Sequence, residues 1–120
     1  MELIFMLIKS PVIIISLVIF IVFKLFPPKE INHFYGYRTS NSMKSPHHWA
    51  YAQKYSVNVA LVITSILLLC QILVFSFFGS STVTDLMLIG VWLIGVIMMI
   101  YKTEKKLKAF DNSHNTNHKI

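Results

Sequence analysis

Three long apolar blocks, separated by polar segments, set the pattern of this chain. The first runs from Leu3 to Phe26 and is interrupted by Lys9, Ser10 and Pro11. Within it, Val12 to Phe23 is apolar except for Ser16. A membrane-spanning helix needs ~20 residues at a rise of about 1.5 Å each, so the pattern predicts one span over about 3–26. Lys9 would snorkel to the interface and Pro11 would sit near the helix start, where its missing N–H matters least. Pro27-Pro28 ends this span, because neither residue can donate a backbone hydrogen bond. The block has no small-residue cleavage site before it ends, so it is expected to be retained rather than removed as a signal peptide.

The second block, Val57 to Phe78, holds 22 residues without a charge and stops at Gly79, a residue suited to a helix C-cap. Its helix is expected to start earlier, because Ser45-Pro46 has the form of an N-cap followed by N1. A helix from Pro46 to Phe78 would be roughly 50 Å long, which exceeds the hydrocarbon core. Its first turns, with Trp49, Tyr51 and Tyr55, would then lie at the interface, where aromatic residues concentrate. The third block is Val83 to Tyr101. Thr82-Val83-Thr84-Asp85 has capping-box spacing with Asp in place of Glu, and a cap suits Asp85 better than proton transport does. Lys102 to Lys108 should extend this helix, and the tail from Asp111 to Ile120 is polar enough to be disordered.

Composition removes the soluble alternatives. Apolar residues are 55% and charged residues 13% of the 120-residue chain, against about 45–50% and 25% in soluble domains. A small protein has too much surface to cover with so few polar groups. The expected fold class is therefore all-α: a single polytopic membrane domain over 1–120, with three transmembrane helices (about 3–26, 57–78 and 83–101). A folded cytoplasmic loop (27–56) would join the first two, and a cytoplasmic tail (102–120) would follow the third. One cysteine, Cys70, excludes an intrachain disulfide.

The net charge is +6, and nine of the eleven basic residues lie in the loop or the tail. They border apolar blocks, which points to anionic lipid headgroups and not to nucleic acid. The positive-inside rule puts the loop and C-terminus on the cytoplasmic side and the N-terminus outside.

Chemistry is sparse. No acidic or histidine side chain falls at mid-span, as a proton-coupled transporter would require. Thr64 and Gln71, seven apart, share a helix face and suit interhelical hydrogen bonding. Gly90 and Gly95 can at most allow close packing. His47 and His48 are adjacent and would diverge by about 100° on a helix, so with His33 they are expected to be interfacial polar residues. No metal site, cofactor or catalytic motif is expected. The loop stands out. It reads Asn32-His33-Phe34-Tyr35-Gly36-Tyr37-Arg38-Thr39-Ser40-Asn41-Ser42-Met43-Lys44, with Trp49 and Tyr51 following. Tyr35-Gly36-Tyr37 predicts a tight turn with glycine at positive φ. Arg38, the only arginine, can grip a phosphate or carboxylate through two parallel hydrogen bonds. A packed structural cap and a specific binding site both fit these residues.

This loop resembles the SdpI/YhfL family of small bacterial membrane proteins. The resemblance is carried by Pro27-Pro28-Lys29, Asn32, Tyr35-Gly36-Tyr37-Arg38-Thr39, Ser42-Met43-Lys44, Trp49 and Ala52-Gln53. It departs at Ser45-Pro46-His47-His48, where the family often has Asn and an acidic residue. The resemblance implies a non-enzymatic immunity protein that protects against a membrane-active peptide toxin by binding. It also implies a signalling role in which a transcriptional repressor is held at the membrane. It places the binding residues at Asn32, Tyr35, Gly36, Tyr37, Arg38, Thr39 and Trp49. The partners it implies are a peptide toxin and the repressor; the basic residues beside apolar blocks add membrane lipids, and the little interior that three helices enclose makes a homodimer expected. Two alternatives remain open: a small transporter or lipid-handling protein, and a membrane enzyme using Arg38 and a loop histidine on a lipid headgroup.

Overall fold

The computed structural model describes residues 2–79 and 81–118. It contains four helices: α1 (Glu2–Lys9), α2 (Val12–Leu25), α3 (Pro46–Phe78) and α4 (Thr82–His118), with no strand among the described residues. The molecule is a slender bundle, 61 Å long by 23 and 18 Å. Helix α3 is its spine. It packs on α2 along one flank and on α4 along the other, while α2 and α4 barely meet.

The spine begins where expected. The Ser45 hydroxyl accepts the His48 N–H at 3.1 Å, and Pro46 occupies the first turn, where its absent N–H costs nothing. The helix stops at Gly79, whose φ of +74° is a conformation other residues rarely adopt. Between these ends the burial pattern is the reverse of a soluble helix. Most of the buried stripe is small or polar, with Ala52, Gln53, Ser56, Ala60, Thr64 and Gln71 joined by Trp49, Val57 and Leu67. The exposed face carries Val62, Ile66, Leu69 and Leu73. Small residues let helix backbones approach when lipid, not water, is the solvent. Gly95 of α4 does the same job from the other side: a Cβ there would stand 2.8 Å from Cγ2 of Ile63. Gly90 faces open space and takes no part.

The first apolar block is not one straight helix. α1 and α2 meet at 84°. Proline at position 11 removes a backbone donor and disfavours helical geometry at Ser10, and the chain breaks there. The break exposes the Ser10 carbonyl, which accepts a hydrogen bond at 3.1 Å from the buried Gln71 amide of α3. Thr64, on the same face, bonds within its own helix to the Ala60 carbonyl at 2.7 Å. At 14 residues, α2 is about 21 Å long and shorter than the hydrocarbon core. Helices α3 and α4 are each long and apolar enough to cross a membrane, and α1 with α2 makes a third crossing only if the bent pair counts as one.

Two further expectations are corrected in α4. Its cap is one residue earlier than the sequence pattern indicated: the Ser81 hydroxyl accepts the Thr84 N–H at 3.2 Å and the Thr84 hydroxyl accepts the Ser81 N–H at 3.3 Å. This reciprocal pair is a capping box built from two hydroxyls, and Asp85 follows it in the first turn. At the other end, the helix continues through the segment expected to be disordered and reaches His118, with Lys119 and Ile120 outside the described residues. Just before that segment α4 is anchored: Leu107 is buried, and Phe110 stacks on Tyr51 with ring centres 5.3 Å apart.

Candidate functional site

The segment between α2 and α3 folds against the ends of α2, α3 and α4. Its path is set first by short-range polar contacts. The Asn32 carboxamide oxygen accepts the Phe34 and Tyr35 N–H groups, both at 2.9 Å, and its amide donates to the Glu30 carbonyl at 3.0 Å. Asparagine favours such turns because its short side chain imitates a backbone amide. Gly36 follows with φ of +104°, as the turn predicted. A Cβ on it would lie 2.6 Å from Oε1 of Gln53 and 2.7 Å from Cγ of Pro28. Only glycine fits.

The next contacts weld the turn to the helices. Gln53 of α3 is buried, and its side chain grips the Tyr37 backbone at both ends. Its oxygen accepts the Tyr37 N–H at 2.7 Å and its amide donates to the Tyr37 carbonyl at 2.7 Å. Trp49, fully buried, donates its indole N–H to the Pro28 carbonyl at 2.6 Å. Ser42, also fully buried, accepts the Thr39 N–H at 2.8 Å and lies against the Tyr37 and Thr39 carbonyls. The two tyrosines diverge. Tyr35 tilts over Phe23 of α2, with ring centres 5.6 Å apart, whereas Tyr37 crosses to α4.

There the loop meets Glu104, a residue the sequence pattern had absorbed into the basic run Lys102 to Lys108. One carboxylate oxygen accepts the Tyr37 hydroxyl at 2.7 Å and the Thr39 hydroxyl at 2.6 Å, and the other accepts the Asn41 amide. Burial pushes the Glu104 carboxyl upward, but the three donors and nearby Lys108 outweigh it, and the net pKa falls below the ordinary value. Burial, reinforced by the carboxylate, pushes the Tyr37 phenol well above its ordinary range. Both groups are therefore held in the forms that hydrogen-bond: an ionised Glu104 and a neutral Tyr37.

A second clasp ties the start of α3 to the end of α4. His48 Nδ1 lies 2.6 Å from the Ser45 hydroxyl and Nε2 3.2 Å from Asp111. The ring sits edge-on to Phe110 at 5.1 Å. Lys44 adds an ion pair to Asp111 at 3.4 Å. The His48 hydrogen bond, with Lys44, outweighs the opposing loss of hydration and holds the Asp111 pKa below the ordinary value. His48 is thus a structural residue and not a solvated one. Among the described residues no three His, Cys, Asp or Glu side chains converge as a metal site would need.

Of the residues singled out in the loop, Asn32, Tyr35, Gly36, Tyr37, Thr39 and Trp49 build the docked loop itself. Arg38 differs: it is exposed, and its guanidinium has no hydrogen-bond partner among the described residues. Sequence reasoning missed Glu104, Asn41 and the gripping role of Gln53. The only signal for Glu104 was a lone carboxylate set among four lysines within Lys102–Lys108.

Two membrane-length helices, a bent apolar pair and a polar loop clamped across their ends define a polytopic α-helical membrane protein. The chain belongs to the SdpI/YfhL protein family, whose model matches residues 29–102. The family recognised from the loop motif is therefore the right one, its second member being spelled YfhL. A Bacillus subtilis (strain 168) relative named "Uncharacterized protein YfhL" is 34% identical over 95 residues, covering 78% of this chain and 79% of that one. No solved structure matches the chain.

Proposed function

We propose that this protein is an immunity-type membrane protein that protects its bacterium from a membrane-active peptide by binding, without catalysis. The observation that carries this reading is family membership, through a match that runs from Lys29 across the docked loop and α3 to Lys102 in α4. In this reading the bent α1–α2 pair supplies a third crossing, the loop and C-terminus are cytoplasmic, and the N-terminus and Gly79 turn face outward. The peptide partitions into the bilayer and meets the lipid-facing sides of α3 and α4. The loop sets their spacing through Gln53 and Glu104 and presents Arg38 to the cytoplasm, where occupancy could be relayed to a repressor.

The test is survival. A sensitive bacterium expressing the chain is challenged with a membrane-active peptide toxin. Protection by wild type, retained in a His33→Ala variant and lost with Glu104→Ala at equal membrane level, is the expected result. Absence of protection across such toxins would remove the immunity reading.

A further inference from the structure

A cavity of about 440 Å³ opens where the apolar part of α2 ends and the loop begins. That is within the ~300–1,000 Å³ range of small-molecule sites. Three lysines from three different segments line it: Lys24 from the last turn of α2, Lys29 from the loop and Lys54 from α3. Phe23, Pro27 and Val57 supply apolar wall, and no acidic side chain lines it.

The rear wall is rigid, because Gln53 is pinned to the Tyr37 backbone and Pro28 to the Trp49 indole. Lys24 donates one hydrogen bond to Asn58, and an ammonium carries three donors, so two remain for a ligand. A cavity with clustered cations at its polar end and apolar wall leading onto a membrane helix is complementary to an anionic amphiphile. We propose that it binds an anionic phospholipid. The headgroup phosphate sits among Lys24, Lys29 and Lys54, and the acyl chains leave over Phe23 and Val57. The loop motif then has a definite role, since Gly36, Trp49 and Gln53 shape the wall of a lipid site. Such a site would operate whether or not the protein confers toxin resistance.

The experiment uses the purified full chain in a neutral detergent, titrated with dioctanoyl phosphatidylglycerol or dioctanoyl phosphatidylcholine and followed by native mass spectrometry. Phosphatidylglycerol should bind at least tenfold more tightly. Lys24→Gln combined with Lys54→Gln should weaken that binding about tenfold, given the attraction each lysine contributes near anionic lipid. Lys105→Gln with Lys106→Gln removes the same charge elsewhere and should leave it unchanged. Ala50→Trp keeps every charge, fills the opening from α3, and should abolish the preference with an unaltered thermal unfolding curve. Equal affinity for the two lipids overturns the proposal. So does equal loss in both lysine pairs, which would show a diffuse charge effect, or full affinity in the Ala50→Trp variant. Displacement of the lipid by low millimolar inorganic phosphate would mark a free-anion site and overturn the lipid assignment.

Discussion

Gly36 shows how one residue can decide whether a loop docks. Its φ of +104° is strained for any side chain, and its Cβ would overlap Gln53 and Pro28. Gly36→Ala should therefore cost about 2–5 kcal/mol, from ~1–2 for the backbone and ~1–3 for the overlap. Limited trypsin digestion would report this as faster cleavage after Arg38 and Lys44. Trp49→Phe is a gentler probe at the same wall. It keeps an aromatic ring but loses the indole N–H and some buried volume, leaves the Pro28 carbonyl without its donor, and should cost ~1–3 kcal/mol in a denaturant or detergent-unfolding titration. Glu104 is the residue on which pH acts. Its folded pKa is depressed, so its contribution is present above the unfolded carboxyl pKa of about 4.3 and is lost as pH falls through the lower folded value. The Tyr37 pKa is raised, so its contribution is present below an unfolded pKa of about 10 and is lost as pH rises through the higher folded value. Docking should be level between these limits. The protection factor of the Tyr37 amide, measured by hydrogen exchange, should hold from about pH 5 to 9 and collapse on the acid side only below the ordinary carboxyl range. Glu104→Gln should reduce the acid-side dependence to the part carried by Asp111 and lower protection throughout.

At the scale of elements, the break at Pro11 and the capture of the Ser10 carbonyl by Gln71 belong together. A helix break inside an apolar environment leaves carbonyls that water cannot satisfy, and Gln71 is placed to donate to one of them. Gln71→Leu should destabilise the α2–α3 pair by ~1 kcal/mol, within the range measured for hydrogen bonds between membrane helices. The effect would be read as a shifted midpoint in a detergent-unfolding titration. The α3–α4 pair relies on shape instead. Gly95→Leu would push a branched side chain into Ile63 and should open the helices, whereas Gly90→Leu, at a site facing open space, should leave them in place. A distance measurement between spin labels on the two helices separates these outcomes.

Across the whole 61 Å molecule, most charged residues lie in the loop, the start of α3 and the extension of α4, while Glu2, Lys9 and Asp85 stand apart. The loop, the start of α3 and the extension of α4 form a polar head clasped by Glu104 and Asp111. With the head in the cytoplasm, single cysteines at the other end and in the head should label oppositely. In a Cys70→Ala background, an impermeant thiol reagent on whole cells should modify Ser81→Cys and spare Asn112→Cys. The reverse pattern would invert the topology. The clasps also hold α4 well past its apolar block: His48 and Lys44 pair with Asp111, and Tyr51 stacks on Phe110.

Much of this architecture is legible in the sequence. Apolar blocks, Ser45-Pro46 and Gly79 act through contacts within a few residues, so the bounds of α3 follow from the sequence alone, and so does the positive φ at Gly36. The loop motif marks the family for the same reason: its turn-forming residues are contiguous. Other features depend on which surfaces meet in space. Glu104 lies 67 residues from Tyr37, and nothing local distinguishes it from a solvated charge in a basic helix. The sharp bend at Pro11 depends on a third helix supplying Gln71, since proline tolerates both a helix start and a kink. The helical state of residues 111–118, read from composition as disorder, continues α4 beyond contacts at Phe110 and Asp111 from a different segment. Local propensity is written along the chain, whereas long-range hydrogen bonds and burial exist only once the helices have chosen their partners.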